Sequence, residues 1–124
     1  MQKKALKIIS LLLAAFFIVM SFILIPAGVL RNKGEDLYYE ALTGNNTQKY
    51  LKAAEALEKS IKIWKYDAGA VKLLIRINDI LYGKMNGKNL ILYEMLHAQH
   101  PENPYFEKAY EDLLTVRKMK KEME

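Results

Sequence analysis

His97 and His100 are the only imidazoles of this 124-residue chain, and Glu94 stands three residues before His97. Steps of three bring neighbouring side chains towards one helix face, so Glu94, His97 and His100 form the candidate set for a divalent metal. The set is weak: three such positions drift around a helix by about 60°, and no cysteine or further histidine completes the shell. Two histidines at a helix end, favoured there by the dipole, are the ordinary reading. We expect neither metal nor cofactor. Nucleophilic chemistry has no better footing, since Ser10 and Ser21 lie in an apolar run and Ser60 sits beside an expected core. Gly83 and Gly87 are single turn residues, not a phosphate-cradling loop. No catalytic residue is assigned, and the chain reads as a non-enzyme.

Two further groups have chemistry to offer. Lys72, Arg76 and Asp79 form a polar stripe at helical spacing with Asn78 beside it, and Lys108 and Asp112 would be their neighbours on the last helix. Such stripes are most often solvated faces. Of the aromatic residues, Tyr50, Trp64 and Tyr110 fall on apolar stripes and are expected in a core. Tyr38 and Tyr39, soon after the apolar run, are expected near lipid headgroups.

That run is the dominant feature of the sequence. Residues 8–30 contain 19 apolar side chains in 23 positions and no charge. As a helix they reach about 34 Å, against a hydrocarbon core of about 30 Å. A cleaved leader is the rival reading, with Ala27 as its last residue, but leader cores are shorter, about 7–15 residues. An uncleaved anchor is favoured. Lys3, Lys4 and Lys7 precede the run, so the tail of residues 1–7 is expected in the cytoplasm and the rest outside it. A bacterial inner membrane with a periplasmic or surface domain fits best.

Net charge is a misleading guide. The formal total is +5, but beyond the apolar run 16 Lys and Arg face 14 Asp and Glu, well interspersed. A nucleic-acid surface needs a concentrated basic stripe, so no nucleic-acid partner is expected. Absence of cysteine removes disulfides and thiolate sites without choosing a compartment.

After a linker at residues 31–34, the periodicity is helical and no strand is expected. A short opening helix covers residues 35–42. Thr47 is a plausible N-cap for a second helix to Trp64, whose apolar stripe is Tyr50, Ala54, Leu57, Ile61 and Trp64. Asp67 caps a third helix that ends at Gly83 and is apolar on more than one face, so it must be covered from two sides. A fourth runs over residues 88–100. Asn103 and Pro104 open a fifth, buried through Phe106, Ala109, Tyr110, Leu113 and Leu114. The helical domain is thus expected over residues 35–121, with a polar tail at 122–124.

The apolar pattern repeats at an offset of 35 residues: Leu57 falls on Leu92, Ile61 on Leu96, Val71 on Phe106 and Ile75 on Tyr110. A helix–turn–helix unit of this length resembles the tetratricopeptide repeat, usually 34 residues. The resemblance covers residues 34–116. Leu37 and Ala41 match the large and small positions of a first helix, Ala53, Leu57 and Ser60 those of a second, and Pro101 the closing proline. Asn89 and Leu96 depart from the small positions expected, and Lys65-Tyr66 replaces the first closing proline. The resemblance implies an all-α array of about five helices with a concave face lined by the first helix of each repeat. Lys72, Arg76, Asn78 and Asp79, with Lys108 and Asp112, would lie there, where the cations can hold a carboxylate or an acidic segment.

The expectation is therefore a single-pass membrane protein that contacts lipid through residues 8–30. It displays a helical domain that binds another protein, as an adaptor, assembly factor or accessory subunit of an envelope complex. A second copy of the chain is also an admissible partner. The alternatives are a secreted soluble binding module released after Ala27, and a subunit assembled mainly through its transmembrane helix.

Overall fold

The computed structural model describes residues 2–123. It contains five α-helices and, among the described residues, no strand: α1 (Gln2–Gly44), α2 (Thr47–Ile63), α3 (Ala68–Tyr82), α4 (Leu90–Gln99) and α5 (Pro104–Met123). A 3₁₀ turn, Gly87–Asn89, leads into α4.

The first helix departs from expectation. Residues 31–34 do not separate an anchor from a short opening helix; the apolar run and the opening helix are one 43-residue rod. Pro26 lies inside it. Proline withholds one N–H from the ladder, here the bond to the Phe22 carbonyl, and interior proline is normally expensive. The helix continues through it, and the turns that follow pack on α2.

That packing begins at Ala27 rather than at Glu35. Ala27, Gly34, Tyr38 and Ala41 are the buried residues of α1. Ala27, Gly34 and Ala41 recur every seventh position, and each is small. Seven residues are about two helical turns, so they make a seam along which a second backbone can come close. The second helix supplies Ala53, Ala54, Leu57 and Ser60, all buried. A Cβ placed on Gly34 would lie 2.7 Å from Leu57 Cγ and 3.3 Å from the Ala53 carbonyl oxygen. Gly34 is therefore a contact point between helices. The pair is closed at its far end by Asn46, whose side chain accepts from the backbone N–H groups of Gln48 and Lys49 at 3.0 and 3.4 Å. The N-cap is Asn46 and not Thr47. Both types suit the position, and the chain enters the helix one residue earlier than expected.

The other boundaries follow local chemistry. Asp67 Oδ1 accepts from Ala70 N–H at 3.1 Å and opens α3. Gly83, at φ 85°, ends it in a conformation that side chains disfavour. Asn103 Oδ1 accepts from Tyr105 N–H at 3.0 Å as α5 starts with Pro104.

The core runs between the helices. Leu57, Val71, Ile77 and Leu96 are almost wholly buried, joined by Leu74, Leu92 and Phe106. The third helix is covered from both sides, by α2 and by α4 with the 3₁₀ turn. Tyr38 belongs to this core, its ring 6.2 Å from that of Tyr50. Its expected place among lipid headgroups is therefore wrong. From Leu30, the end of the apolar run, to Tyr38 the rod climbs about 12 Å, which carries Tyr38 beyond that run. Tyr39, 64% exposed, is at the same height.

Candidate functional site

Two adjoining hollows, of about 380 and 510 Å³, lie between α3 and α5, with α4 as their floor. Both are lined by Asp79, Tyr93 and Tyr105, so they form one groove. Lys72 and Arg76 line one end, and Lys108 and Asp112 the other. Five of the six residues singled out from the sequence thus converge, because α3 and α5 present their polar stripes towards each other across α4.

Asn78 does not line the groove. It is 5% exposed and donates from Nδ2 to Asn89 Oδ1 at 3.0 Å. Asn89 in turn donates to the Ile75 carbonyl at 3.3 Å and to Asp79 Oδ1 at 2.9 Å. A buried amide must find partners for its donors and acceptors, and these two asparagines largely supply each other. Their bonds anchor the start of α4 to the last turns of α3 and hold the Asp79 carboxylate at the groove wall. Sequence reading missed Asn89, Tyr93 and Tyr105. The signal was present for Asn89, a polar residue at a position where the repeat pattern asks for a small one. For the tyrosines no spacing rule distinguished wall from core.

The electrostatics of the groove are mixed. Burial pushes the Asp79 carboxyl above its ordinary value, against the opposing pull of Lys84 and of the bond from Asn89. Burial, with smaller contributions from Tyr105 and Asp79, lifts the Tyr93 hydroxyl to about 12, so it stays a neutral donor. Lys72 lies with its Nζ 5.4 Å from the centroid of Phe106, a cation–π contact. Among the described residues, the ion pairs within 4 Å involve none of Lys72, Arg76 and Lys108. Lys84 also lines the groove and acts on Asp79, so Lys72, Arg76 and Lys108 are left as cations uncommitted to carboxylates, beside the hydroxyls of Tyr93 and Tyr105.

The histidines are elsewhere and do not converge. His97 stacks on Tyr110, ring centroids 6.2 Å apart at 23°, while His100 packs against Phe106 and stands 3.8 Å from Glu102. Glu94 is exposed on the outer side of α4. Among the described residues no group of three potential ligands approaches metal-binding geometry. Trp64 and Tyr110, expected in the core, are only half-buried.

Fold and groove together define a class: an all-helical protein whose N-terminal helix is long and apolar enough to cross a membrane, and whose later helices enclose a cationic, tyrosine-lined groove. No family model, curated protein or solved structure matches the chain.

Proposed function

We propose that this protein is a membrane-anchored interaction module, whose tetratricopeptide-like helical array holds an acidic segment of a partner protein in the groove between α3 and α5. The carrying observation is the convergence of Lys72, Arg76 and Lys108 on one groove without carboxylate partners among the described residues. Guanidinium and ammonium groups bind carboxylates through charge-assisted hydrogen bonds, and tyrosine hydroxyls add neutral donors. Groove binding by paired helices is also what the repeat resemblance implies.

Anchoring is supported by the exposed apolar surface of the first helix, where Leu11, Phe17, Phe22 and Ile25 are all more than half exposed. A contiguous apolar surface of this kind marks a membrane or protein contact, and its length suits a membrane. Continuity of α1 favours an uncleaved anchor over a released domain. Ala27, the expected last residue of a cleaved leader, is helical and 6% exposed beneath α2. Lys3, Lys4 and Lys7 support a cytoplasmic tail by the positive-inside rule, with the groove on the other side.

A photo-activated cross-linker at Tyr105, compared with one at Lys52 on the outer face of α2, tests the groove in intact membranes. A defined product from Tyr105 alone, lost in Lys72→Glu/Arg76→Glu at unchanged melting temperature, is the expected result. Loss only when Ala14 and Ala15 are enlarged would transfer the interaction to the span.

A further inference from the structure

We propose that the turn between α2 and α3, residues 64–67, with the last residues of α2, is a lipid-contacting surface. In it Ile63, Trp64 and Tyr66 seat among the headgroups, and Lys62 and Lys65 engage anionic phospholipid. The proposal rests on the reading of α1 as a membrane span.

Because α1 is a single helix, the apolar run and the packed domain share one register. Counting from the residue after Lys7, a hydrocarbon core of about 30 Å is used up after about 20 residues, close to Ala27. At that level the Ser60 hydroxyl donates to the Ala27 carbonyl at 2.7 Å, a buried bond between residues 33 apart in sequence. The second helix folds back along α1 towards the membrane, and it continues past this bond. Ile63 lies about 4–5 Å further down. On α1 itself, Met20 and Ile23 are partly covered, on the same face as Ala27, while the rest of residues 2–26 is exposed. The second helix thus extends about 4–5 Å below the expected edge of the hydrocarbon, close to the depth of about 5–10 Å reached by interfacial segments.

The composition of this end suits that depth. Ile63 and Tyr66 are 39% and 56% exposed. The Trp64 and Tyr66 rings meet edge-on with centroids 5.1 Å apart. Tryptophan and tyrosine pair an apolar body with a polar edge and concentrate where acyl chains meet headgroups. Lys62 and Lys65 are exposed, and neither is in an ion pair within 4 Å among the described residues. The single acid of the turn, Asp67, is directed away from it, 3.2 Å from Arg31 and capping α3. What remains of the turn itself facing outward is apolar and basic, the complement of an anionic bilayer surface, with Glu94 of α4 the acid beside Lys65 and Tyr66. The turn is also braced from behind, as Gln99 Nε2 donates to the Lys65 carbonyl at 3.0 Å. With two attachments to one bilayer, the rod cannot swing freely, and the groove is held at a set height above the lipid.

Trp64 is the only tryptophan of the chain, so its fluorescence reads the depth directly. The full-length protein would be reconstituted into phosphatidylcholine vesicles with and without phosphatidylglycerol, each with lipid brominated near the top or near the middle of the acyl chains. Flotation is scored first. The expected result is co-flotation, with Trp64 quenched about twofold by the shallow bromines and less by the deep ones. Lys62→Glu/Lys65→Glu should weaken that quenching in phosphatidylglycerol vesicles and leave it unchanged in pure phosphatidylcholine. A floating protein whose Trp64 ignores brominated lipid and is freely quenched by aqueous iodide would overturn the proposal and leave the anchor standing. Failure to float would overturn both. Quenching unchanged by the double charge reversal would overturn the role of the lysines.

Discussion

Arg31 Nη1 lies 3.2 Å from Asp67 Oδ2, joining the helix that carries the apolar run to the N-cap of α3. The same guanidinium bonds Glu35 through Nε at 3.0 Å. Asp67 therefore does two jobs, accepting from Ala70 N–H with one oxygen and meeting Arg31 with the other. Asp67→Ala is expected to cost about 1 kcal/mol, mainly as a lost cap. Asp67→Asn keeps the cap and loses only a half-exposed ion pair, so it should cost less, about 0.5 kcal/mol. Thermal unfolding of the detergent-solubilised protein separates the two; equal losses would mean that the cap contributes nothing.

Gly34 should tolerate no side chain. Its Cβ would press on Leu57 and on the Ala53 backbone, which cannot withdraw without moving α2. Gly34→Ala is expected to destabilise by about 1–3 kcal/mol despite alanine's better helix propensity. Gly28, with nothing within 4 Å of its own Cβ position, is the control. Gly28→Ala should be neutral or slightly stabilising.

The Ser60–Ala27 bond predicts a smaller, specific loss. Ser60→Ala removes one buried hydrogen bond from a carbonyl that keeps its place in the helix ladder, at a cost of about 1 kcal/mol. Amide exchange at residues 60–63 should quicken more than at the far end of α2.

The asparagine pair is more demanding. Asn89→Ala leaves Asn78 buried without its acceptor and removes a donor from Asp79. A loss of about 1–3 kcal/mol is expected. Replacing both asparagines by leucine should cost less than the sum of the single changes, because neither partner is then left unpaired; additive losses would contradict the coupling.

Asp79 gives a pH dependence with a definite sign. Its carboxyl is raised in the folded state, so the folded protein holds this proton more tightly than the unfolded chain does. The associated stability is fully present below the unfolded value of about 3.9. It is lost as pH rises through the higher folded value. The wild type should therefore gain stability relative to Asp79→Asn as pH falls from neutrality towards 4. Parallel melting curves for the two proteins would show Asp79 to be no more buried than an ordinary surface carboxylate.

Local rules sufficed for much of this molecule. The uncharged apolar run of residues 8–30, the caps at Asp67 and Asn103, the stop at Gly83 and the helical stripes of Leu57, Val71 and Phe106 each depend on a few neighbouring residues. Such features are written directly in the chain. The polar stripe of Lys72, Arg76 and Asp79 was legible for the same reason, although its meeting with Lys108 and Asp112 was only implied by the repeat. Tertiary structure alone decided the rest. It joined the apolar run and the opening helix into one rod, with α2 packed along it from Ala27 through Gly34 to Ala41. It drew Asn78 inward, because Asn89, eleven positions later, offered it a partner. It placed Tyr38 in the core and set the Trp64 and Tyr66 rings edge-on to each other. Periodicity shows which face of a helix is buried; how far along its neighbour that helix slides is settled only when the two surfaces pack.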